Sequence, residues 1–465
     1  MKLAVVILAA GQGKRMKSDL PKVLQPLAGV PLLGHVVSRA RTLQPSSVHV
    51  VYGHGGDAVR AAIKDSDLRW ALQAEQLGTG HAVMQAMPDV ADDELVLVLY
   101  GDVPLIDTGT LRQLIGFADA DSMSLLTVML DNPTGYGRIV RNPQGDIQKI
   151  VEQKDASPAE LSIREGNSGI MAVPAKLLRQ WLGRLKNANA QGEYYLTDVI
   201  AMAVKDKVKV TPLIAPTVAE VLGVNDKVQL AELEGMHRAA RARELMLAGA
   251  TVIDPSRIDV RGEVTLGRDV VIEPNVLFEG KVSLGDRVRV GPNVVLRDVS
   301  IGADSVIHAN SILESSELAT GCIIGPYARV RPGSKLAANV HIGNFVELKK
   351  TTIAEGSKAN HLTYLGDAVI GKGVNVGAGT ITCNYDGVNK TTTTIEDGAF
   401  IGSGNMLVAP VRIGKDATTG AGSTITKDAP DGQLTLTRGK QMTIEGWKRP
   451  EKKRPEKKSP EKKPE

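Results

Sequence analysis

Three regimes of apolar and polar spacing follow one another along the chain. Over residues 1–225 apolar residues come in short continuous runs at 2–9, 48–52, 94–99 and 124–130, separated by stretches with helical spacing. Strands without polar alternation are buried on both faces, so this region predicts an α/β, Rossmann-like domain whose mostly parallel sheet is covered by helices on either side. In such sheets ligands bind outside the carboxyl ends of the strands. Residues 226–250 are rich in Ala, Leu, Glu and Arg, with Leu230, Leu233, Met236, Ala240, Leu245 and Leu247 expected on one side. They predict a helical connector. Its basic residues are offset by four carboxylates, which argues against a DNA-facing helix.

From residue 251 the period changes to six. Aliphatic residues recur at Leu266, Ile272, Phe278, Leu284, Val290 and Leu296, slip by one residue to Ile301, Ile307 and Leu313, and slip again to Leu318, Ile324, Val330, Leu336, Ile342 and Leu348. They return at Ile395, Ile401, Leu407 and Ile413, and Ile425 closes the series. Glycine follows many of them, as in Ile342-Gly343 and Ile401-Gly402. A hexapeptide period belongs to a parallel β-helix in which each six residues form one flat side and three sides close a turn. The expectation is an all-β domain over 251–447 of about nine eighteen-residue turns, rising roughly 4.8 Å each. Two polar stretches, 354–369 and 383–394, interrupt the pattern and are expected to project from the coil as insertions that build a site.

Composition fits this division. Only 15 residues are aromatic against 48 glycines, as a narrow coil filled by branched aliphatics requires. The net charge of +4 is misleading, because residues 448–465 carry nine Lys/Arg and four Glu, leaving the rest at −1. A neutral body argues against nucleic acid as the main partner. The tail, with its repeated PEKK, is expected to be disordered and solvated. Cys322 and Cys383 are too few for a disulfide framework and fit a reducing cytoplasm. No apolar stretch reaches the about 20 residues of a membrane span. The apolar start meets Gly11-Gln12-Gly13-Lys14-Arg15 after eight residues, which suits a strand and loop better than a signal peptide.

The candidate chemistry begins at that loop. Leu8-Ala9-Ala10-Gly11-Gln12-Gly13-Lys14-Arg15-Met16 follows a strand and is expected to open a helix. Met16 stands where a dinucleotide fingerprint has its third glycine, and the spacing is not that of a Walker loop. Its glycines, amides and Arg15, with Lys22 nearby, nevertheless suit phosphates. Asp102, just past the expected strand 94–99, is placed to bind Mg²⁺.

In order and spacing, LAAGQGKRM, LPKVL, QAEQLGTGHA, YGDVPL, GYGRIV, VEQKDA, NSGIM, EYYLTD and GVNDKVQL resemble the bacterial sugar-1-phosphate nucleotidyltransferases. Together with the hexapeptide solenoid and KANHLTYLGD (358–367), the chain is most similar to the bifunctional N-acetylglucosamine-1-phosphate uridyltransferase and glucosamine-1-phosphate N-acetyltransferase family, which makes cell-wall and lipopolysaccharide precursors. The resemblance implies a left-handed β-helix, a homotrimer, no membrane or nucleic-acid partner, and UTP, acetyl-CoA, glucosamine-1-phosphate and N-acetylglucosamine-1-phosphate as substrates. It implies that Leu8, Ala9, Ala10 and Gly11 hold the nucleotide, that Arg15 and Lys22 address the UTP phosphates, and that Gln73, Gly78 and Thr79 meet uracil. Tyr100 and Gly101 accompany Asp102 in the same site, Gly137, Glu152 and Asn167 hold the sugar, and Asp102 and Asn225 bind Mg²⁺. For acetyl transfer it implies His361 as the base that deprotonates the amine, a task suited to imidazole. Arg331 and Lys349 are implied as the sugar-phosphate cations with Tyr364 and Asn375 nearby, Asn384 and Tyr385 line the junction of sugar and acetyl-CoA, and Ala378, Ser403, Ala421 and Arg438 contact acetyl-CoA.

The chain departs from the family pattern at Ser168, where threonine is expected, at Asn360, where glycine is expected, and around Arg438. The sequence argues against two other readings. A one-activity nucleotidyltransferase with a scaffold solenoid has no need of His361 beside Asn384-Tyr385. A non-catalytic binding subunit would be expected to lose Asp102, Lys22 or the glycine loop.

Overall fold

The computed structural model describes residues 1–53, 55–450 and 452, so most of the lysine-rich tail lies outside the described residues. The chain divides into two compact units, Met1–Gly321 and Cys322–Glu465, and the division falls inside the hexapeptide series.

In the first unit Lys2–Leu8 is an interior strand, parallel to both Glu94–Tyr100 and Ser47–Tyr52. The sheet runs in the order Lys209–Ile214, Ser122–Met129, Glu165–Pro174, Glu94–Tyr100, Lys2–Leu8, Ser47–Tyr52, Leu68–Leu72. Alternate residues of one strand feed two cores. Ala4, Val6 and Leu8 pack with Val83, Trp181 and Val199, while Val5, Ile7 and Ala9 pack with Val36, Leu97 and Leu111. Each such fully buried aliphatic contributes about 1.5–3 kcal/mol. The sheet is mixed, because Glu165–Pro174 runs antiparallel to both of its neighbours and carries the hairpin Arg138–Arg141 and Ile147–Val151.

The glycine loop opens no α-helix; it gives a single 3₁₀ turn at Lys14–Met16, and the first α-helix is Leu32–Arg41. Gly13 (φ 60°) and Lys17 (φ 48°) bracket that turn in the left-handed region, and Pro21 keeps the chain extended before a second single turn at Lys22–Leu24. The connector is an α-helix, Lys227–Leu247, capped by Asp226, whose carboxylate accepts from the Val228 and Gln229 amides. It buries Leu233, Ala242 and Leu245, whereas Met236 and Leu247 face solvent, so its apolar face is narrower than the spacing implied. Leu233 packs against Met16, Leu27, Leu32 and Val224. Beyond the helix, Ile258–Leu266, Val276–Leu284, Val295–Ile301 and Ile312–Leu318 stack in parallel. The first one-residue slip is a register shift at Asp298 (φ 51°).

In the second unit the inward columns are regular. Ile324, Ile342, Ala359, Val376, Ile401 and Thr419 form one, and Val330, Leu348, Leu365, Thr382, Leu407 and Ile425 another, all buried. Residues 354–369 are therefore not an insertion. Ala359 and Leu365 keep the period, with Ala359 seated on Ile342 and Leu365 on Leu348. The polar residues Lys358, Asn360, His361 and Tyr364 mask that period in the sequence. The second stretch is a true insertion. Ala368 pairs with Thr393, a step of 25 residues where other turns take 17 or 18, and the extra chain folds back on itself at the Tyr385–Lys390 bridge.

Candidate active sites

The carboxyl ends of Lys2–Leu8 and Glu94–Tyr100 open into two cavities that share Tyr100 and Asp102. The first, about 240 Å³, is lined by Leu8, Ala9, Ala10, Gly11, Lys22, Gln73, Gly78 and Thr79 among others. The second, about 630 Å³, is lined by Arg15, Gly137, Glu152, Asn167 and Asn225 among others. Gly101 lines neither cavity; its amide donates to the Leu8 carbonyl (2.9 Å) and so ties the two strand ends together. The remaining sequence-predicted residues of this unit are thus brought to one cleft.

Local chemistry explains the placement. Gly78 adopts φ +109°, and a Cβ there would lie 2.7 Å from the Tyr194 carbonyl oxygen. The Gly80 amide donates to that same oxygen (2.8 Å), the Tyr194 amide donates to Leu77 (2.8 Å), and the Leu196 amide donates to Thr79 Oγ1 (3.1 Å). The QLGTG loop and the EYYLTD segment are one clamped unit. Gln73 is buried and donates to the Gly78 carbonyl (3.1 Å). Beside the second cavity a β-bulge between Asn167 and Met171 re-aims the antiparallel strand. Asn167 Oδ1 accepts from the Gly169 amide (3.0 Å), and the Asn167 amide donates to Gly137 (2.8 Å). Ser168, the departure from the family pattern, donates to the Leu126 carbonyl (2.6 Å), a bond threonine would also make.

Electrostatics concentrate at the join. Lys22 ion-pairs with Asp102, and its ammonium also donates to Asn225 Oδ1 (3.4 Å). Two hard oxygen donors thus already converge on one cation. Among the described residues there is no group of three or more His, Cys, Asp or Glu able to hold a metal. A donor set of one carboxylate and one amide suits Mg²⁺, which keeps several waters and takes its other ligands from phosphates. Burial, above all, pushes the Glu152 carboxyl up, with nearby carboxylates adding to it and the Thr197 hydroxyl (3.0 Å) opposing. Burial likewise raises the Tyr100 phenol. Gln76 and Glu193 also line the first cavity, and Tyr136, Gln229 and Glu232 the second. Most of these lie inside the motifs named above, but their types gave no chemical signal of their own.

In the second unit stacking does the work of convergence. The amides of Leu362, Gly379, Gly404 and Gly422 donate to the carbonyls of Asn344, His361, Ala378 and Ser403. His361, Ala378, Ser403 and Ala421 therefore occupy one corner of the coil on successive turns. A guanidinium nitrogen of Arg438 lies 3.6 Å from where a Cβ on Gly420 would stand, beside the last of them. The flat side that follows this corner carries Tyr364, above Glu347, and ends in Arg331 and Lys349 on adjacent turns. Arg331 donates to Glu347 (2.7 Å). At that end the insertion begins with Asn384 and Tyr385. Asn375 is not on this side; it pairs with Lys358 and Phe400 on the flat side before the corner. Asn360 interrupts a column otherwise made of Gly343, Gly377, Gly402 and Gly420, where a Cβ at Gly343 would lie 2.1 Å from the Asn360 carbonyl oxygen.

Residues 5–165 match the MobA-like NTP transferase domain, and residues 263–298 and 392–427 match the bacterial transferase hexapeptide (six repeats). The bifunctional protein GlmU of Azoarcus sp. (strain BH72) is 59% identical over 450 residues, covering 97% of this chain and 100% of that protein. Those of Herminiimonas arsenicoxydans and Nitrosospira multiformis are 57% and 56% identical, over 96% and 97% of this chain and 99% and 98% of theirs. A solved structure described as a putative glucose-1-phosphate thymidylyltransferase from Bacillus anthracis in complex with a sucrose overlaps at TM-score 0.42 and 19% identity, covering 51% of this chain and 95% of that one. Shared at well over half of its positions along nearly the whole of these relatives, the chain belongs to the family of bifunctional GlmU proteins.

Proposed function

We propose that the enzyme acetylates glucosamine-1-phosphate at the solenoid corner and then transfers uridylyl from UTP to the product in the cleft of the first unit, giving UDP-N-acetylglucosamine and pyrophosphate. The domain assignment is residues 1–225 for uridylyl transfer, 226–250 for the connecting helix, 251–447 for acetyl transfer and 448–465 for the tail. The observation that carries the first half is the pair of cavities meeting at Asp102. Gln73, Gly78 and Thr79 take the uracil side with Leu8 to Gly11, and Gly137, Glu152 and Asn167 take the sugar side. Lys22, Arg15, Asp102 and Asn225 stand between them, where the sugar phosphate attacks the α-phosphorus and pyrophosphate leaves. Asp102 and Asn225 would hold Mg²⁺, which supplies neutralisation of phosphate charge. Positioning and charge do most of the catalysis, and no covalent enzyme intermediate is needed.

At the corner, His361 takes the proton from the sugar amine as the amine attacks the thioester carbonyl of acetyl-CoA, the C–S bond breaks, and the CoA sulfur leaves with that proton as the free thiol. Arg331, Lys349 and Tyr364 hold the sugar phosphate on the side after the corner. Asn384, Tyr385, Ala378, Ser403, Ala421 and Arg438 line the acetyl-CoA path. Asn375 lies across the corner from Tyr364, and the hexapeptide-repeat match supports an oligomer, read as a homotrimer, in which a second chain covers that corner. Two free cysteines, and no described helix long and apolar enough to cross a membrane, support a cytoplasmic enzyme.

The test is a crossed pair of variants. Asp102→Ala lowers uridylyl transfer about 10³-fold and leaves acetyl transfer intact. His361→Ala lowers acetyl transfer about 10²–10⁴-fold and leaves uridylyl transfer intact. Loss of both activities in either folded variant contradicts two independent sites.

A further inference from the structure

Asp367 stands at the end of the flat side that starts at His361, one residue past Gly366 and in the left-handed conformation (φ 47°). Its side chain is 11% exposed. Asn384 Nδ2 donates to Asp367 Oδ2, and Lys349 Nζ lies 4.0 Å from the same oxygen. The Asp367 carbonyl accepts from the Thr393 amide (3.2 Å), closing the insertion that Asn384 opens. One carboxylate oxygen thus touches both a cation proposed for the sugar phosphate and an amide proposed for the sugar and acetyl-CoA junction.

An ionised carboxylate only accepts hydrogen bonds, so the Asn384 amide must turn its nitrogen toward Asp367. The carboxamide is planar, and its oxygen then points the other way. We propose that Asp367 is a positioning residue for acetyl transfer, which fixes the Asn384 carboxamide so that an acceptor oxygen, not a donor, is offered to the substrate amine. An acceptor there suits an amine that must present an N–H and keep its lone pair aimed at the thioester. The proposal rests on the assignment of the solenoid corner as the acetyl-transfer site.

An asparagine at 367 would keep the backbone preference, since Asn and Asp both tolerate left-handed φ. It would remove the orienting force, because its amide can accept or donate toward Asn384. The experiment uses the full-length chain and compares Asp367→Asn, Asn384→Ala and the double variant, with uridylyl transfer measured on the same preparations. Asp367→Asn is expected to lower acetyl-transfer kcat about ten-fold with the KM for acetyl-CoA nearly unchanged. Asn384→Ala is expected to lower it at least as much, and the double variant no further than Asn384→Ala alone. Multiplying effects in the double variant would mean that Asp367 acts only on the fold, and would overturn the proposal. So would an unaltered Asp367→Asn beside an impaired Asn384→Ala, while leaving the site assignment standing. An unaltered Asn384→Ala would overturn the proposal, and an unaltered His361→Ala beside it would overturn the site assignment too.

Discussion

The two catalytic regions assemble their sites by opposite means. In the first unit, residues scattered from Leu8 to Asn225 converge because parallel strands with crossovers bring their carboxyl ends to one edge. In the solenoid, His361, Ala378 and Ser403 converge because residues at fixed intervals share a corner. The first device yields an enclosed cleft in which one side chain, such as Lys22, touches several others. The second yields an exposed edge in which each turn contributes one residue. Damage should therefore propagate differently in the two regions.

The largest contrast is expected at the two lysines proposed to face phosphates, Lys22 and Lys349. Lys22 is held against Asp102 and Asn225 in a largely enclosed site, so Lys22→Ala should lower uridylyl kcat/KM about 10²-fold. Lys349 Nζ lies 4.0 Å from Asp367, beyond hydrogen-bond reach, and Lys349→Ala should raise the KM for glucosamine-1-phosphate only about ten-fold. Steady-state kinetics of both activities on each variant measure this, and equal losses would erase the contrast.

Backbone packing gives the next test. A Cβ at Gly78 would meet the Tyr194 carbonyl at 2.7 Å, and one at Gly343 would meet the Asn360 carbonyl at 2.1 Å. Gly78→Ala should destabilise by about 1–3 kcal/mol and raise the KM for UTP while sparing acetylation. Gly343→Ala should spread the turns beneath His361, cost a similar amount and slow acetyl transfer alone. Thermal unfolding with both assays distinguishes these local effects from general unfolding.

Acid should weaken the first unit. His237 is held down to about 4, chiefly by burial and then by His35, Arg241 and Arg39, with Asp259 opposing. His35 is also lowered, mainly by burial, while its Nε2–H donates to the Leu27 carbonyl (2.8 Å) and Glu234 opposes the shift. Their rings meet edge to face at 5.9 Å. Between the unfolded value near 6.5 and the folded value near 4 the native state binds fewer protons than the unfolded chain, so stability falls as pH falls through that window. His237→Phe should flatten the change in the urea midpoint between pH 7 and pH 5.

The smallest change in stability is expected at Glu152. Its carboxyl is raised, so the native state binds more protons than the unfolded chain above the ordinary value of 4.5, and stability falls as pH rises there. Glu152→Gln should abolish efficient sugar use yet leave Tm unchanged or higher by about 1–3 °C at pH 7. A lower Tm would contradict the cause assigned to the shift.

The same contrast decides what was legible in the sequence. The hexapeptide period located most turns of the coil, since an inward aliphatic at every sixth position is a geometric requirement. It failed over 354–369, where Ala359 is a small inward residue and the outward face is polar, so a regular turn read as an insertion. In the first unit the apolar runs gave four of the parallel strands, but not the half-exposed Leu68–Leu72 and Lys209–Ile214 at the sheet edges, nor the antiparallel Glu165–Pro174 or the hairpin that place Gly137 and Asn167, because their register depends on distant partners. The glycine loop suggested a helix start because glycines and cations suit one; the left-handed Gly13 and Lys17, and Pro21, allow only isolated 3₁₀ turns. Site residues were legible mostly through motif resemblance. Asp367 lay inside such a motif, yet its bond to Asn384 crosses 17 residues and becomes visible only in the folded coil.

The most direct measurement incubates the purified enzyme with glucosamine-1-phosphate, acetyl-CoA, UTP and Mg²⁺, and follows free thiol and pyrophosphate separately. Two linked activities on one chain predict release of both, with pyrophosphate appearing only after acetylation and only when acetyl-CoA is present. Pyrophosphate released solely when N-acetylglucosamine-1-phosphate is supplied, with no thiol formed from glucosamine-1-phosphate, would make the solenoid a scaffold and contradict the account.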